Sequence, residues 1–257
     1  MVNIRYYIIL CIFICLFAYL FQKGKINSQT KNRTLSEGIE IIKNFTKLEE
    51  VDIGEYKKIK IKKLFPFETT AYNIEDVGFI SILSANYGFF EMFSFHLSPY
   101  KKDFPILIID YMYIFGKRKI IFEFYNTTID NNSSFLLNFI NEFERIKAIN
   151  SDIKDWEIAP KWGDERVVIN MKKEGNSSLD NRFISLFSDV IYIYMKNIVK
   201  MTTLEGELKT KKATLIKEFS EQLAKNGGIV SKIFKSEMDE DDVAKLFVEI
   251  YFGLKFQ

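Results

Sequence analysis

Few side chains in this chain could carry proton or nucleophile chemistry, and that scarcity narrows the choice. There is one histidine, His96, and both cysteines, Cys11 and Cys15, sit in an apolar N-terminal run. A zinc site built from histidines is therefore excluded, and the rest of the chain has no thiolate chemistry and no disulfide. A Ser-His-Asp triad could be assembled only around His96. Chemistry must run mainly on carboxylates, Tyr, Lys or Arg, or on a bound group. Asp110 is the most informative carboxylate. At a period of two it shares a row with Ile106, Ile108, Met112 and Ile114, and a carboxylate on an apolar row is costly to bury ionised. Its pKa is expected to rise, which suits a carboxylic acid that delivers a proton near neutral pH. The plain alternative is an edge-strand Asp pointing into solvent, as most Asp do. Glu123, inside IIFEFY at residues 120–125, has the same two readings. His96 titrates in a useful range, but it alternates out of step with Phe93 and Phe95. It reads either as a surface or satisfied residue or as a ligand contact.

These residues need elements to hold them. Residues 35–47 read as a short amphipathic helix with Ile39, Ile42 and Phe45 on one side. The period then changes to two: residues 56–64 alternate Ile59 and Ile61 with Lys60 and Lys62, the pattern of a half-exposed strand. Further strands are expected at residues 77–83, 89–97, 105–115 and 119–125. The turn segments between them, residues 86–88, 99–103 and 116–117, are short, so the strands are antiparallel neighbours in a meander. A helix over residues 133–149 and a loop carrying Trp156, Pro160 and Trp162 lead to a strand at 166–171. Residues 179–201 place Phe183, Phe187, Ile191, Tyr194 and Ile198 at helical spacing. Arg182, Asp189 and Lys196 interrupt that row, which marks a core helix and not a membrane span. A charged amphipathic helix at 204–225 stops at Asn226 and Gly227, and segments at 229–234 and 239–251 complete the chain. A meander followed by helices predicts an α+β fold, as one domain over residues 37–257. The net charge of +2 predicts no nucleic-acid partner.

The N-terminus reads separately, as a leader over residues 1–36. After Arg5, residues 6–21 are apolar and uncharged, short for a spanning helix and slightly long for a signal sequence. Residues 22–36 contain Lys23, Lys25, Lys31 and Arg33, several hydroxyls and no acid, and show no strong apolar periodicity. An apolar run followed by such a segment fits a bipartite address: entry to the secretory route, then a transit peptide directing the chain to a plastid. An uncleaved signal anchor with a flexible basic stalk is the alternative. Both predict membrane insertion or translocation at the N-terminus.

Residues 93–110, FSFHLSPYKKDFPILIID, resemble a segment of the ferredoxin-dependent bilin reductases. In that family a strand is followed by Pro-x-x-x-Asp-x-Pro-Ile-x-x-x-Asp opening the next strand, matched here by Pro99, Asp103, Pro105, Ile106 and Asp110. KIIFEFYN at 119–126, WEIAPKWG at 156–163, and the closing stretches FSEQLAKN at 219–226 and VAKLFVEIYF at 243–252 follow in the family's order. Together the blocks cover roughly residues 55–255, and their colinearity carries more weight than any one of them. The resemblance implies a three-layer α/β/α sandwich with a central antiparallel sheet. It implies a linear tetrapyrrole held between the sheet and the C-terminal helices, and reduced ferredoxin as electron donor with no bound cofactor. It places Asp110 at the family's catalytic aspartate and points to Phe93, Glu123 and His96 as substrate-binding residues. Phycocyanobilin-forming members carry a catalytic histidine where Phe93 stands here. That departure argues against their four-electron chemistry and leaves a two-electron reduction or a lost activity. Red chlorophyll catabolite reductases share the fold, so the resemblance does not fix the substrate. Lys57, Lys58, Lys60, Lys62 and Lys63, with Lys117, Arg118 and Lys119, offer either a patch for acidic ferredoxin or an edge strand protected from aggregation. No Gly-rich phosphate loop follows a strand, so nothing suggests a bound nucleotide or flavin. The competing reading is a non-catalytic tetrapyrrole-binding or membrane-anchored interaction domain of the same fold.

Overall fold

Strands with one residue in two turned to each face assemble here into a single antiparallel sheet. In the computed structural model, which describes residues 4–61, 65–87, 90–114, 116–157, 164–227 and 229–257, these strands are β1 (Leu48–Glu50), β2 (Lys58–Ile61), β3 (Phe65–Ile74), β4 (Gly78–Asn86), β5 (Phe90–Ser98), β6 (Ile106–Ile114), β7 (Lys117–Tyr125) and β8 (Val167–Asn176). From β3 to β8, sheet neighbours are chain neighbours, and β1 and β2 lie end to end along the outer side of β3. Pro160, Trp162, Lys62 and Lys63, named above, and residue 88 of the expected turn at 86–88 lie outside the described residues.

Both faces of the sheet are apolar, so each needs a cover. On one face lie α1 (Ile4–Lys43), α2 (Ser134–Ile149) and α3 (Asp180–Ile198), packed on Phe93, Phe95, Leu107, Ile109, Phe122 and Phe124. Phe187 of α3 meets Phe93 and Phe95 edge-on, at 5.8 and 5.7 Å between centroids. On the other face lie α4 (Gly206–Asn226), α5 (Ile229–Lys235), α6 (Glu240–Lys245) and a π-helical turn, Leu246–Tyr251, packed on Phe79, Leu83, Ile106 and Ile108. The result is the expected α/β/α sandwich around an antiparallel sheet.

The Pro-x-x-x-Asp-x-Pro run has a structural task at one end of this sheet. Asp103 accepts the backbone N–H groups of Ile129 and Asp130 at 2.7 and 2.8 Å, which ties the β5–β6 connection to the loop after β7. Lys212 of α4, fully buried, donates to the carbonyls of Phe104 and Thr127 at 2.6 and 2.7 Å, so the helix layer is pinned to the same loops. Gly253, at φ 71°, turns the chain after the π-helical turn in a conformation that a side chain rarely adopts. That turn brings Phe256 onto Phe79, stacked at 5.2 Å.

Two features differ from the sequence expectation. β1 and β3 were not read from the sequence. The boundary expected at residue 36 falls inside α1, which runs without a break from the apolar segment into residues that pack on α3 and β5.

Candidate functional site

Period-two geometry decides which candidate residues meet. Ser94 of β5 is paired with Asp110 of β6, His96 with Ile108, and Ile108 in turn with Glu123 of β7. Ser81 of β4 is paired with His96. Ser81, Ser94, His96, Asp110 and Glu123 therefore share the face covered by α4–α6. Phe93 does not. It is paired with Tyr111, one residue out of phase, and is fully buried on the opposite face against Tyr111 and Phe187. The expectation that Phe93 is a substrate-binding residue beside Asp110 is corrected by that register, and His96, out of step with Phe93, is the residue of β5 that shares the face of Asp110.

His96 is buried and sits in a short polar chain that crosses three strands. Its Nδ1 lies 3.1 Å from Ser81 Oγ, and its Nε2 lies 2.8 Å from Ser94 Oγ. Ser94 Oγ is 2.5 Å from Asp110 Oδ1, and Ser81 Oγ is 2.8 Å from the carbonyl oxygen of Tyr251. The π-helical turn supplies that carbonyl and also sets Phe252 against the imidazole, stacked at 5.5 Å. Such turns recur at functional sites. Burial pushes the imidazole down to about 4, so His96 is neutral at neutral pH.

The hydrogens in this chain can be counted. Four contacts need four hydrogens. Ser81 and Ser94 bring one each and a neutral imidazole brings one, which leaves the set one short if Asp110 is ionised. With Asp110 protonated every contact is made: Asp110 donates to Ser94, Ser94 to Nε2, Nδ1–H to Ser81, and Ser81 to the Tyr251 carbonyl. With Asp110 ionised and the imidazole neutral, Ser94 donates to Asp110, the chain reverses, and the bond to Tyr251 is lost. A buried acceptor left without its donor costs roughly 1–3 kcal/mol. With a neutral imidazole, all four contacts are made together when Asp110 carries a proton.

Asp110 is half-exposed while its partners are buried. Around Ile121, the half-buried Met112, Lys119, Asn170 and Lys172 continue the same sheet face, so the acid end of the chain opens onto a sector that the helices only partly cover. Glu123, buried at the edge of that sector, accepts from the Tyr125 hydroxyl at 2.7 Å and lies 3.4 Å from Lys172 Nζ. It is held by neighbours on β7 and β8 and does not join the His96 chain through any of these contacts. Lys119 Nζ lies over the Trp156 ring at 4.1 Å.

The two lysine clusters do not form one patch. Lys58 and Lys60 lie on β2 at the sheet edge and Lys117–Lys119 open β7, five strands away, roughly 24 Å at about 4.8 Å per strand. Lys57 and Lys58 are paired with Asp52 and Glu68 at 3.3 and 2.7 Å, and Arg118 is buried against Asp180 at 2.6 Å. Sequence reasoning missed Ser81, Ser94 and the Tyr251 carbonyl. The signal for Ser94 was present in FSFHLS, where Ser94, His96 and Ser98 alternate with Phe93, Phe95 and Leu97. No group of three or more His, Cys, Asp or Glu among the described residues is placed to hold a metal ion.

No protein-family profile matches the chain, and no curated protein sequence does. Its fold is nevertheless found among solved structures. The chain is similar to phytochromobilin synthase from tomato, crystallised in complex with biliverdin, with a TM-score of 0.65 over 86% of this chain and 83% of that one. Sequence identity is 10%, so what the two share is the fold.

Proposed function

We propose that the protein binds a linear tetrapyrrole of the biliverdin type on the Asp110 face of the sheet and reduces it by ferredoxin-supplied electrons, with Asp110 as proton donor. The observation that carries this reading is the Ser81–His96–Ser94–Asp110 chain, which ends on a partly exposed carboxylate flanked by Met112 and Ile121. Its occurrence in a fold shared with a protein crystallised with biliverdin supports the choice of substrate.

Reduction of one double bond of a bilin takes two electrons and two protons. Ferredoxin delivers electrons singly, so a proton must be ready each time charge builds on the conjugated system. Asp110 gives the first proton through its carboxylic O–H. Ser94 then turns its hydroxyl towards the new carboxylate and gives up its bond to Nε2, while the imidazole keeps its Nδ1–H on Ser81. A second proton, taken up from solvent at the half-exposed carboxyl, resets it. Apolar neighbours Met112 and Ile121 favour the neutral acid between turnovers. In this reading Glu123 and His96 line the substrate side of the sheet, and the N-terminal segment supports entry to the secretory route, with a plastid as the compartment that supplies reduced ferredoxin.

The test uses the full-length protein in detergent. Biliverdin should bind and acquire a red-shifted, structured absorption band, and reduced ferredoxin should then bleach or shift that band. Without a bound spectrum the substrate reading fails. A stable bound spectrum that reduced ferredoxin never changes makes the protein a tetrapyrrole-binding module and not a reductase.

A further inference from the structure

α1 carries two incompatible surfaces on one unbroken helix of 40 residues. Towards its N-terminus, Ile12, Phe13 and Phe21 are 61, 65 and 71% exposed, and Ile9, Leu10, Ile14, Leu16 and Tyr19 are exposed with them. No part of the domain covers this stretch. A helix that is apolar all round and uncovered belongs in a bilayer or in a larger core. Residues 4–21 rise roughly 27 Å at about 1.5 Å per residue, close to the hydrocarbon thickness of about 30 Å. Lys23 and Lys25 follow at once, as expected where a helix leaves the membrane.

From Gly24 the same helix becomes part of the domain. Gly24, Asn27, Thr34, Gly38 and Ile42 are buried along one stripe, with the half-buried Lys31 between Asn27 and Thr34, so that successive members are three or four residues apart. Lys31 Nζ lies 2.9 Å from Glu91 of β5, a carboxylate with no exposed side-chain surface, and Ser28 donates to both oxygens of Glu91 at 3.1 and 3.0 Å. Thr30 donates to Asp180 at 3.3 Å and Arg33 to Asn181 at 2.9 Å, both on α3. At Gly38 the two helices touch: a Cβ there would lie 2.4 Å from the Phe187 ring. Removing residues 22–36, as a transit peptide would be removed, takes away Ser28 and Lys31 and strips the cover from Glu91 and from the β5 and α3 surface on which this part of α1 packs.

We infer that the apolar segment is a retained membrane anchor in a lipid bilayer, and that residues 24–43 are both its continuation and a structural helix of the domain. Only Gln22 and Lys23 separate the exposed apolar surface from the docked one, so the domain is held against the bilayer at a fixed angle and not on a flexible stalk. This inference is independent of the bilin reading.

The test expresses the full chain with a C-terminal tag in a eukaryotic cell, floats the membranes on a density gradient, and maps the N-terminal peptides of the floated protein. The expected result is a chain that floats, resists alkaline extraction and still contains peptides from residues 6–43. Ile12→Lys combined with Leu16→Lys should stop flotation without lowering the melting temperature, because neither side chain touches the domain. A mature chain that begins anywhere after Phe21 overturns the inference. So does a wild-type chain that fails to float, or a doubly charged variant that floats as before.

Discussion

Replacing Asp110 by Asn separates the proton from the scaffold that holds it. The new amide matches the carboxyl in volume and brings an N–H in place of the carboxylic O–H. It donates to Ser94; Ser94 donates to Nε2, Nδ1–H to Ser81, and Ser81 to the Tyr251 carbonyl. All four contacts of the wild-type chain survive with a neutral imidazole. Folding stability measured in urea should therefore change by less than about 1 kcal/mol, the net worth of one hydrogen bond. What is lost is the transferable proton. General acid catalysis contributes roughly 10²–10⁴-fold, so single-turnover reduction of biliverdin by reduced ferredoxin should slow at least about 100-fold, about 2.7 kcal/mol on the barrier. If electron transfer comes first, the variant should accumulate a bilin radical visible by electron paramagnetic resonance. Stopped-flow absorbance gives the rate, and a titration of the bound band shows that affinity is kept. Turnover within about threefold of wild type would refute the assignment of Asp110 as donor. A loss of more than about 2 kcal/mol of stability would refute the hydrogen count.

Two further outcomes follow from the same geometry. Burial pushes His96 down to about 4, so the unfolded chain binds its proton more readily than the folded one. The stability from this group is complete above about pH 6.5 and falls as pH drops towards 4, by about 2 kcal/mol between pH 7.5 and 5; because the chain has one histidine, its imidazole NMR signal reports the pKa directly, and a signal titrating near 6.5 sinks the prediction. Gly38→Leu should destabilise by about 1–3 kcal/mol, since its Cβ would meet the Phe187 ring at 2.4 Å and that ring is locked against Phe93 and Phe95; urea denaturation showing equal or greater stability would contradict the close helix contact.

The fold was legible where burial was apolar and periodic. β4 to β8 and α2 to α4 all fall where alternation or helical spacing placed them, because a sheet covered on both faces and helices packed on one side leave strong patterns. β3 left none. Its sequence, FPFETTAYNI, opens with a proline near its start and gives one face Thr69 and Ala71, residues too small or polar to register as an apolar row. α1 was misread for a related reason. Its docked stripe is Gly24, Asn27, Lys31, Thr34 and Gly38, so a search for apolar periodicity saw a basic, unstructured segment. The helix packs there by close approach at glycine and by buried polar pairing, which hydropathy does not report.

The same blind spot shaped the reading of the site. Asp110 was found because a single charge on an apolar row stands out. Its partners were not, because serine in a strand carries no signal until a register is known. Phe93 was assigned to the wrong face for want of one residue of register: only the pairing of Ser94 with Asp110 fixes that His96, and not Phe93, looks towards the acid. Once that pairing is set, the unusual property of the sheet becomes visible. The α1–α3 face of β5 carries Phe93, Phe95 and Leu97, while the opposite face carries Ser94, His96 and Ser98 on the side covered by α4–α6 and the π-helical turn. A fold held together by apolar packing gains nothing in stability from that polar row, since its groups are desolvated and a mispaired member is costly. The row ends at a half-buried carboxyl, and with a neutral imidazole its four contacts are all made when that carboxyl carries a proton. Apolar residues at those positions would pack this sheet without that cost, so the polar row is better explained by the proton donor proposed above than by the needs of the fold.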